Sequence, residues 1–247
     1  AEGELGPTSM VVHRLDKGTT GVIAFAKDSE TQRAVSELFR KRRVRKTYLA
    51  VCVGDPGPDP IEVEDPIGRD KANRLRMTVV PEDEGGRYAR SVVTKLACNG
   101  KFSLVRVDIS TGRTHQIRVH MRQRGLPIVG DAEYGSKQWN QMAAKAPIRA
   151  KRPLLHAHTL AFDHPSTGEL LQCRAPVPED FVRAIEWIRS APGAVVVPEL
   201  QSAMETDGTE GDLHENATRG DSQEKGDSSG RRITYESIDD MLSALVG

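Results

Sequence analysis

Hydrophobic and polar positions alternate in short runs along most of this chain, and Gly- and Pro-rich turns separate the runs. Residues 22–26, Val-Ile-Ala-Phe-Ala, follow the turn glycines Gly18 and Gly21 and read as a buried strand. Ser29-Glu30-Thr31-Gln32 has the form of a capping box. Behind it Ala34, Val35, Leu38 and Phe39 are spaced for one helix face, and Arg40-Lys41-Arg42-Arg43 supplies cations at the helix's negative end or contacts for phosphates. Residues 46–53 alternate as a strand, with Tyr48, Ala50 and Cys52 on one face and Leu49, Val51 and Val53 on the other. Residues 54–60 end it.

Residues 61–80 carry Arg69, Lys71, Arg74 and Arg76 and read as a basic hairpin or loop, and residues 90–97 and 102–109 read as strands. Thr111-Gly112 turns into a helix capped near Thr114 and closed by Gly125, with Arg122 and Arg124 in its last turn. Residues 130–135 form a tight loop. Residues 154–162 predict a strand with Leu154, His156, His158, Leu160 and Phe162 on one side, which residues 163–168 turn back into a strand over 169–174. Pro178-Glu179-Asp180 opens a last helix in which Phe181, Ile185 and Ile188 share a face.

Composition divides the 247 residues in two. Residues 1–191 hold the apolar periodicity for one sizeable core, whereas residues 192–247 read as an acidic, low-complexity, disordered tail. The segment 233–246 carries Tyr235, Ile238, Met241, Leu242 and Leu245 at helical spacing, as a partner-binding helix or a frayed end. The zero net charge conceals a split: from Pro198 onward twelve acidic residues face four basic ones, leaving 31 basic against 23 acidic before it. A basic folded part favours a polyanionic partner. Cys52, Cys98 and Cys173 are odd in number and sit in apolar or strand-like runs, so buried reduced thiols are expected. With no run of about 18 apolar residues and no signal-peptide pattern, a soluble intracellular protein is expected, without membrane contact, in cytosol, mitochondrion or plastid.

The densest chemistry lies in residues 12–27, where Asp16 stands before the first apolar run with His13 and Arg14 beside it. On the residues alone Asp16 is a turn former, Asp before Lys-Gly, or a carboxylate facing a cleft. A second dense stretch spans residues 110–125. A metal-dependent hydrolase would use His13, Asp16, His115, His120, His156 and His158, but His115 and His120 are five apart where one helix face offers ligands at four, so no metal is expected.

Together, His13-Arg14-Leu15-Asp16 with Thr20-Gly21, Lys46-Thr47-Tyr48-Leu49-Ala50, and the run from Thr111 to His120 resemble the RluA-type pseudouridine synthases. Gly130-Asp131 with Tyr134-Gly135, Leu155-His156-Ala157 and Ala175-Pro176 match in order, so the resemblance covers about residues 10–190. Two departures stand out: Thr19-Thr20-Gly21 replaces the usual Thr-Ser-Gly, and the strand ending in Lys-Pro that members carry before the first motif is missing. The resemblance implies an α+β fold, a mixed, mostly antiparallel sheet flanked by helices, with an RNA-binding cleft.

The implied activity is isomerisation of specific uridines in structured ribosomal or transfer RNA, with no cofactor, by a monomer. That reaction moves the bond at ribose C1′ from uracil N1 to C5, so it needs an ionised carboxylate, a pocket for an extruded base and a group that later removes a proton. By resemblance Asp16 is the carboxylate and Arg118 its ion-pair partner. Tyr48 packs on the uracil and removes the late proton, Arg14 enters the space the base vacates, and Lys46 and Arg113 contact phosphates. The alternative is a catalytically impaired RNA-binding homologue, and the tail is assigned to a protein partner rather than to catalysis.

Overall fold

Strands form where the chain has two faces to bury. A computed structural model describes residues 9–197. Three two-residue strands, β1 (Met10–Val11), β2 (Thr20–Gly21) and β3 (Phe25–Ala26), precede helix α1 (Ser29–Arg40) and the long strand β4 (Arg45–Val53). Next come β5 (Ile61–Val63), a hairpin of β6 (Ile67–Arg69) and β7 (Met77–Val79), then β8 (Ser91–Cys98) and β9 (Phe102–Ile109). Helices α2 (Gln116–Gln123) and α3 (Lys137–Lys145), strands β10 (Leu155–Asp163) and β11 (Leu170–Arg174), helix α4 (Glu179–Ser190) and strand β12 (Val195–Val196) follow.

The main sheet runs β11-β10-β4-β9-β8-β12, with β5 joined to β8 and β2 to β10. Every pair is antiparallel except β2 with β10, so the sheet is mixed and mostly antiparallel, in an α+β fold. Alternation in β4 feeds two cores, as its sequence predicts. Leu49, Val51 and Val53 pack with Phe102, Leu104 and the α4 residues Phe181 and Ile185. Ala50 and Cys52 pack on the opposite face with Val105, Val107 and the α2 residues Ile117 and Met121. Each fully buried Leu or Phe contributes about 1.5–3 kcal/mol, which is why the strands of highest alternation form the centre. Among the described residues no helix is long and apolar enough to cross a membrane.

Several expectations need correction. Of the buried strand predicted over 22–26 only Phe25–Ala26 is strand and Ile23 is exposed, because Gly21, at φ +121°, turns the backbone out of the sheet. β2 stays on β10, and β3 pairs with β1 instead. The cap of α1 is Asp28, whose carboxylate accepts the Thr31 N–H at 2.8 Å, one residue before the expected box. The cap of α2 is His115, at φ 57°, rather than Thr114. In β10 the pairing with β4 shifts between Ala157 and Thr159. That bulge puts Leu160 opposite Lys46, on the Tyr48 face, so it does not share a face with His156. Cys52 and Cys98 are buried, but Cys173 is exposed, since β11 is an edge strand exposed along its length. The acidic stretch 205–230 and the segment 233–246 lie outside the described residues.

Candidate active site

The loop carrying Asp16 is pinned at both ends. Its outer end is closed by β1 against β3, and its inner end by β2 against β10, where a Cβ on Gly21 would lie 2.1 Å from the Ala157 carbonyl oxygen. Only glycine lets the two backbones approach this closely. Behind the loop the Thr20 hydroxyl is 2.9 Å from His156 Nδ1, and His156 Nε2 is 3.3 Å from the Ala175 carbonyl. A carbonyl only accepts, so Nε2 carries the proton and Nδ1 accepts from Thr20. Burial lowers the His156 pKa to about 4 and keeps the ring neutral. His13 is likewise lowered to about 4, by burial and then by Lys46. Its Nε2 accepts the Ala24 N–H at 2.9 Å and its ring stacks on Phe39.

Asp16 closes a turn with its carbonyl, which accepts the Thr19 N–H at 3.0 Å, while its side chain lines an open cleft. Leu15, Ile109, Ile117 and Leu155 make the apolar walls, and Tyr48, Arg14 and Arg113 are among the other lining residues. Tyr48 comes from the middle of β4, between Val107 and Ala157. Burial, and then the Asp16 charge, raises its pKa to about 12, so the phenol keeps its proton at neutral pH.

Arg118 approaches Asp16 from α2, with Nη1 3.9 Å from Asp16 Oδ2. Its hydrogen bonds go elsewhere. Nε and Nη2 donate to the two oxygens of buried Asp131 at 2.7 and 2.9 Å, and Nη2 also reaches Glu133 Oε2 at 3.2 Å. The guanidinium lies 4.7 Å from the ring centroid of Tyr134. Burial opposes the Asp131 charge, but Arg118 and the Tyr134 N–H outweigh it and hold this carboxyl below its ordinary range.

The cleft opens into a basic groove. Lys46 donates to the Thr111 carbonyl at 2.8 Å, and burial, then Arg113 and Arg42, lowers its pKa to about 8. Arg113 is lowered by burial, Arg42 and Arg87, and its Nε donates to the Tyr88 carbonyl at 2.9 Å. Buried Gln116 shapes this loop: its Oε1 accepts from Arg113 N–H at 3.0 Å and from the Thr111 hydroxyl at 2.7 Å. From Arg113 the groove runs one way past Lys46 to Arg40 and Arg42, and the other way past Arg87 to Arg69 and Lys71 on the β6–β7 hairpin. Cations that depress one another are suited to a polyanion, whose charge relieves the repulsion.

Asp16, Tyr48 and Arg14 thus line one cleft with Arg113, Arg118 lies against Asp16 from the protein side, and Lys46 stands in the adjoining groove. The histidines serve separate places: His115 Nδ1 is 2.8 Å from the Tyr134 hydroxyl, and His120 lies between Ser91 and the Asp65 carbonyl. Among the described residues no group of three or more His, Cys, Asp or Glu is placed to hold a metal ion. Sequence reasoning gave no role to Asp131, Glu133 or Gln116, although Gly130-Asp131 stood within a matched motif. A salt bridge across 13 residues, between a helix and a turn, has no spacing signature.

Residues 2–123 match the family described as RNA pseudouridylate synthase. An uncharacterized RNA pseudouridine synthase of Chloroflexus aurantiacus is 42% identical over 179 residues, 72% of this chain and 52% of the relative. Ribosomal large subunit pseudouridine synthase D of Nitrosomonas europaea is 37% identical over 190 residues, 77% of this chain and 54% of the relative. The chain therefore spans about half the length of these curated relatives. The solved structure of human RNA pseudouridylate synthase domain containing 4 superposes with a TM-score of 0.61 at 29% identity, covering 73% of this chain and 76% of that one.

Proposed function

Because this chain belongs to the RNA pseudouridylate synthase family, in its RluA-type branch, we propose that it isomerises uridine to pseudouridine in structured RNA with Asp16 as the reacting carboxylate. The observation that carries the reading is the convergence of Asp16 and Tyr48 in one apolar-walled cleft at the centre of a basic groove. Ribosomal RNA is the first substrate to try, since the Nitrosomonas relative is named for the large ribosomal subunit.

The residues divide the work. The groove cations Lys46 and Arg113 hold phosphates, Arg14 occupies the space left by the extruded base, and the uracil packs between Tyr48 and the apolar walls. Extrusion costs a few kcal/mol, so loops and mismatches are favoured targets. Asp16 acts as nucleophile or base while the glycosidic bond breaks and the uracil turns. Tyr48 then takes the C5 proton. A phenol held at about 12 does this by giving up its own proton as it accepts the new one, and the freed uracil N1 takes up one proton, so the isomerisation is proton-neutral.

Release of hydrogen label from uridine C5 tests the proposal, because C5 must lose its hydrogen when the new bond forms there. Ribosomal and transfer RNA transcripts are each incubated with the protein and with Asp16→Asn. Label release is expected with the protein and abolished in Asp16→Asn, with RNA affinity little changed. RNA binding without release by the unaltered protein would favour the impaired RNA-binding reading instead.

A further inference from the structure

Arg118 is in reach of three carboxylates, and only one of them lies in the cleft. Asp131 is buried and takes two of its N–H groups, which fixes the guanidinium plane. Glu133, about one-third exposed, takes a further contact at 3.2 Å on Nη2, leaving Nη1 toward Asp16 at 3.9 Å, beyond hydrogen-bond length. Glu133 is itself held from a third element. Arg76, in the loop that joins β6 to β7 and next to Met77, has Nε 4.0 Å from Glu133 Oε1, and its Nη2 donates to the Glu133 carbonyl. The Arg76 guanidinium also lies 5.1 Å from the ring of Tyr134, which faces Arg118 at 4.7 Å. The Tyr134 hydroxyl accepts the N–H of Met77, the next hairpin residue, at 2.8 Å. The hairpin and Arg118 are therefore fastened to the same two residues.

We propose that Glu133 is a positioning residue that shares Arg118 with Asp16 and ties that sharing to the basic β6–β7 hairpin through Arg76. The inference rests on the isomerase reading above and adds a residue outside its cleft. Glu133 competes with Asp16 for one positive charge, and Arg76 satisfies part of Glu133 and so returns Arg118 to Asp16. Arg69 and Lys71 on the same hairpin line the groove, so RNA seated there bears on the element that sets this balance. The other charged or titratable groups in the cluster are His115, with Nδ1 3.9 Å from Glu133 Oε2, Tyr48 on the cleft side, and Arg122, which donates to the Tyr134 carbonyl at 3.4 Å. None of these joins the hairpin to Arg118 by a charge pair.

The test is the pH dependence of single-turnover C5 label release for the protein, Glu133→Gln, Glu133→Asp, Arg76→Ala and the Glu133→Gln/Arg76→Ala double variant. Removing a like charge favours ionisation of a neighbouring carboxylate. The acid side of the rate curve is expected to move to lower pH by roughly 0.5 to 1 in Glu133→Gln, and to higher pH by a similar amount in Arg76→Ala. Glu133→Asp keeps the charge and stays with the unaltered protein, and the double variant follows Glu133→Gln because Arg76 acts through Glu133. A merely structural role moves melting temperature and leaves all the curves superimposed, and that result overturns the proposal. Absence of Asp16-dependent release from the unaltered protein overturns the isomerase reading, and this inference with it. Release with superimposed curves overturns this inference alone.

Discussion

Arg118 is almost fully buried and its best-made bonds are to Asp131, which is fully buried. The physical consequence differs from that of a simple pair with Asp16. Deleting one partner of a buried pair leaves an uncompensated charge in a low dielectric, at a cost of about 3–5 kcal/mol. Arg118→Ala is therefore expected to lower stability by that amount through Asp131, as well as abolishing turnover through Asp16. Urea unfolding of Arg118→Ala beside Arg118→Ala/Asp131→Ala checks the source, since removing the stranded carboxylate restores part of the loss. Because Asp131 is held below the ordinary carboxylate range, the pair's contribution is present at neutral pH and fades as pH falls through the folded-state pKa. Equal instability of both variants would contradict this account.

At the scale of elements, the loop carrying Asp16 depends on a two-residue strand. β2 contributes few backbone bonds, yet it fixes Asp16 because Gly21 lies directly on the Ala157 backbone and Thr20 bonds His156. Gly21→Ala adds a methyl that backbone atoms cannot avoid, at a φ that L-residues rarely adopt. An expected loss of about 1–3 kcal/mol follows from the strain. Label release falls more than stability requires, because β2 lifts from β10 and carries Asp16 with it. Unchanged turnover in a Gly21→Ala protein that melts normally would show that β2 does not set the position of Asp16. The bulge at His158 belongs to the same logic, since it re-aims β10 so that Ala157 and Leu160 both lie on the Tyr48 side.

For the whole molecule, the basic groove and the acidic stretch lie on different parts of the chain. The sheet continues beyond α4, where Val195 and Val196 pair with Cys98 and Ala97, and the Val197 N–H donates to the Leu96 carbonyl at 2.9 Å. Val196 and Val197 also pack on the core of Phe102 and Phe181. A chain ending at Val197 is expected to keep the melting temperature and label release of the full chain. One ending at Ala191 uncovers the β8 edge and melts several degrees lower, about what 1–2 kcal/mol gives for a domain of this size. Thermal melting of the two truncations beside the full chain checks this. Lost release in the chain ending at Val197 would assign residues 198–247 a part in the reaction.

The sequence by itself determined the strands β4, β8 and β9 and the helix α4, because alternation, helical spacing and turn residues are local properties of the chain. It also determined which residues resemble a catalytic set, since Asp16, Tyr48 and Arg118 each stand in an ordered motif. Only the tertiary structure decided who holds Arg118 and which way β10 turns after Ala157. Those outcomes depend on groups brought together from distant or differently folded segments, or on one extra residue in a ladder. In both cases the deciding energy, a buried charge pair or a bulged register, exists only once the chain has folded.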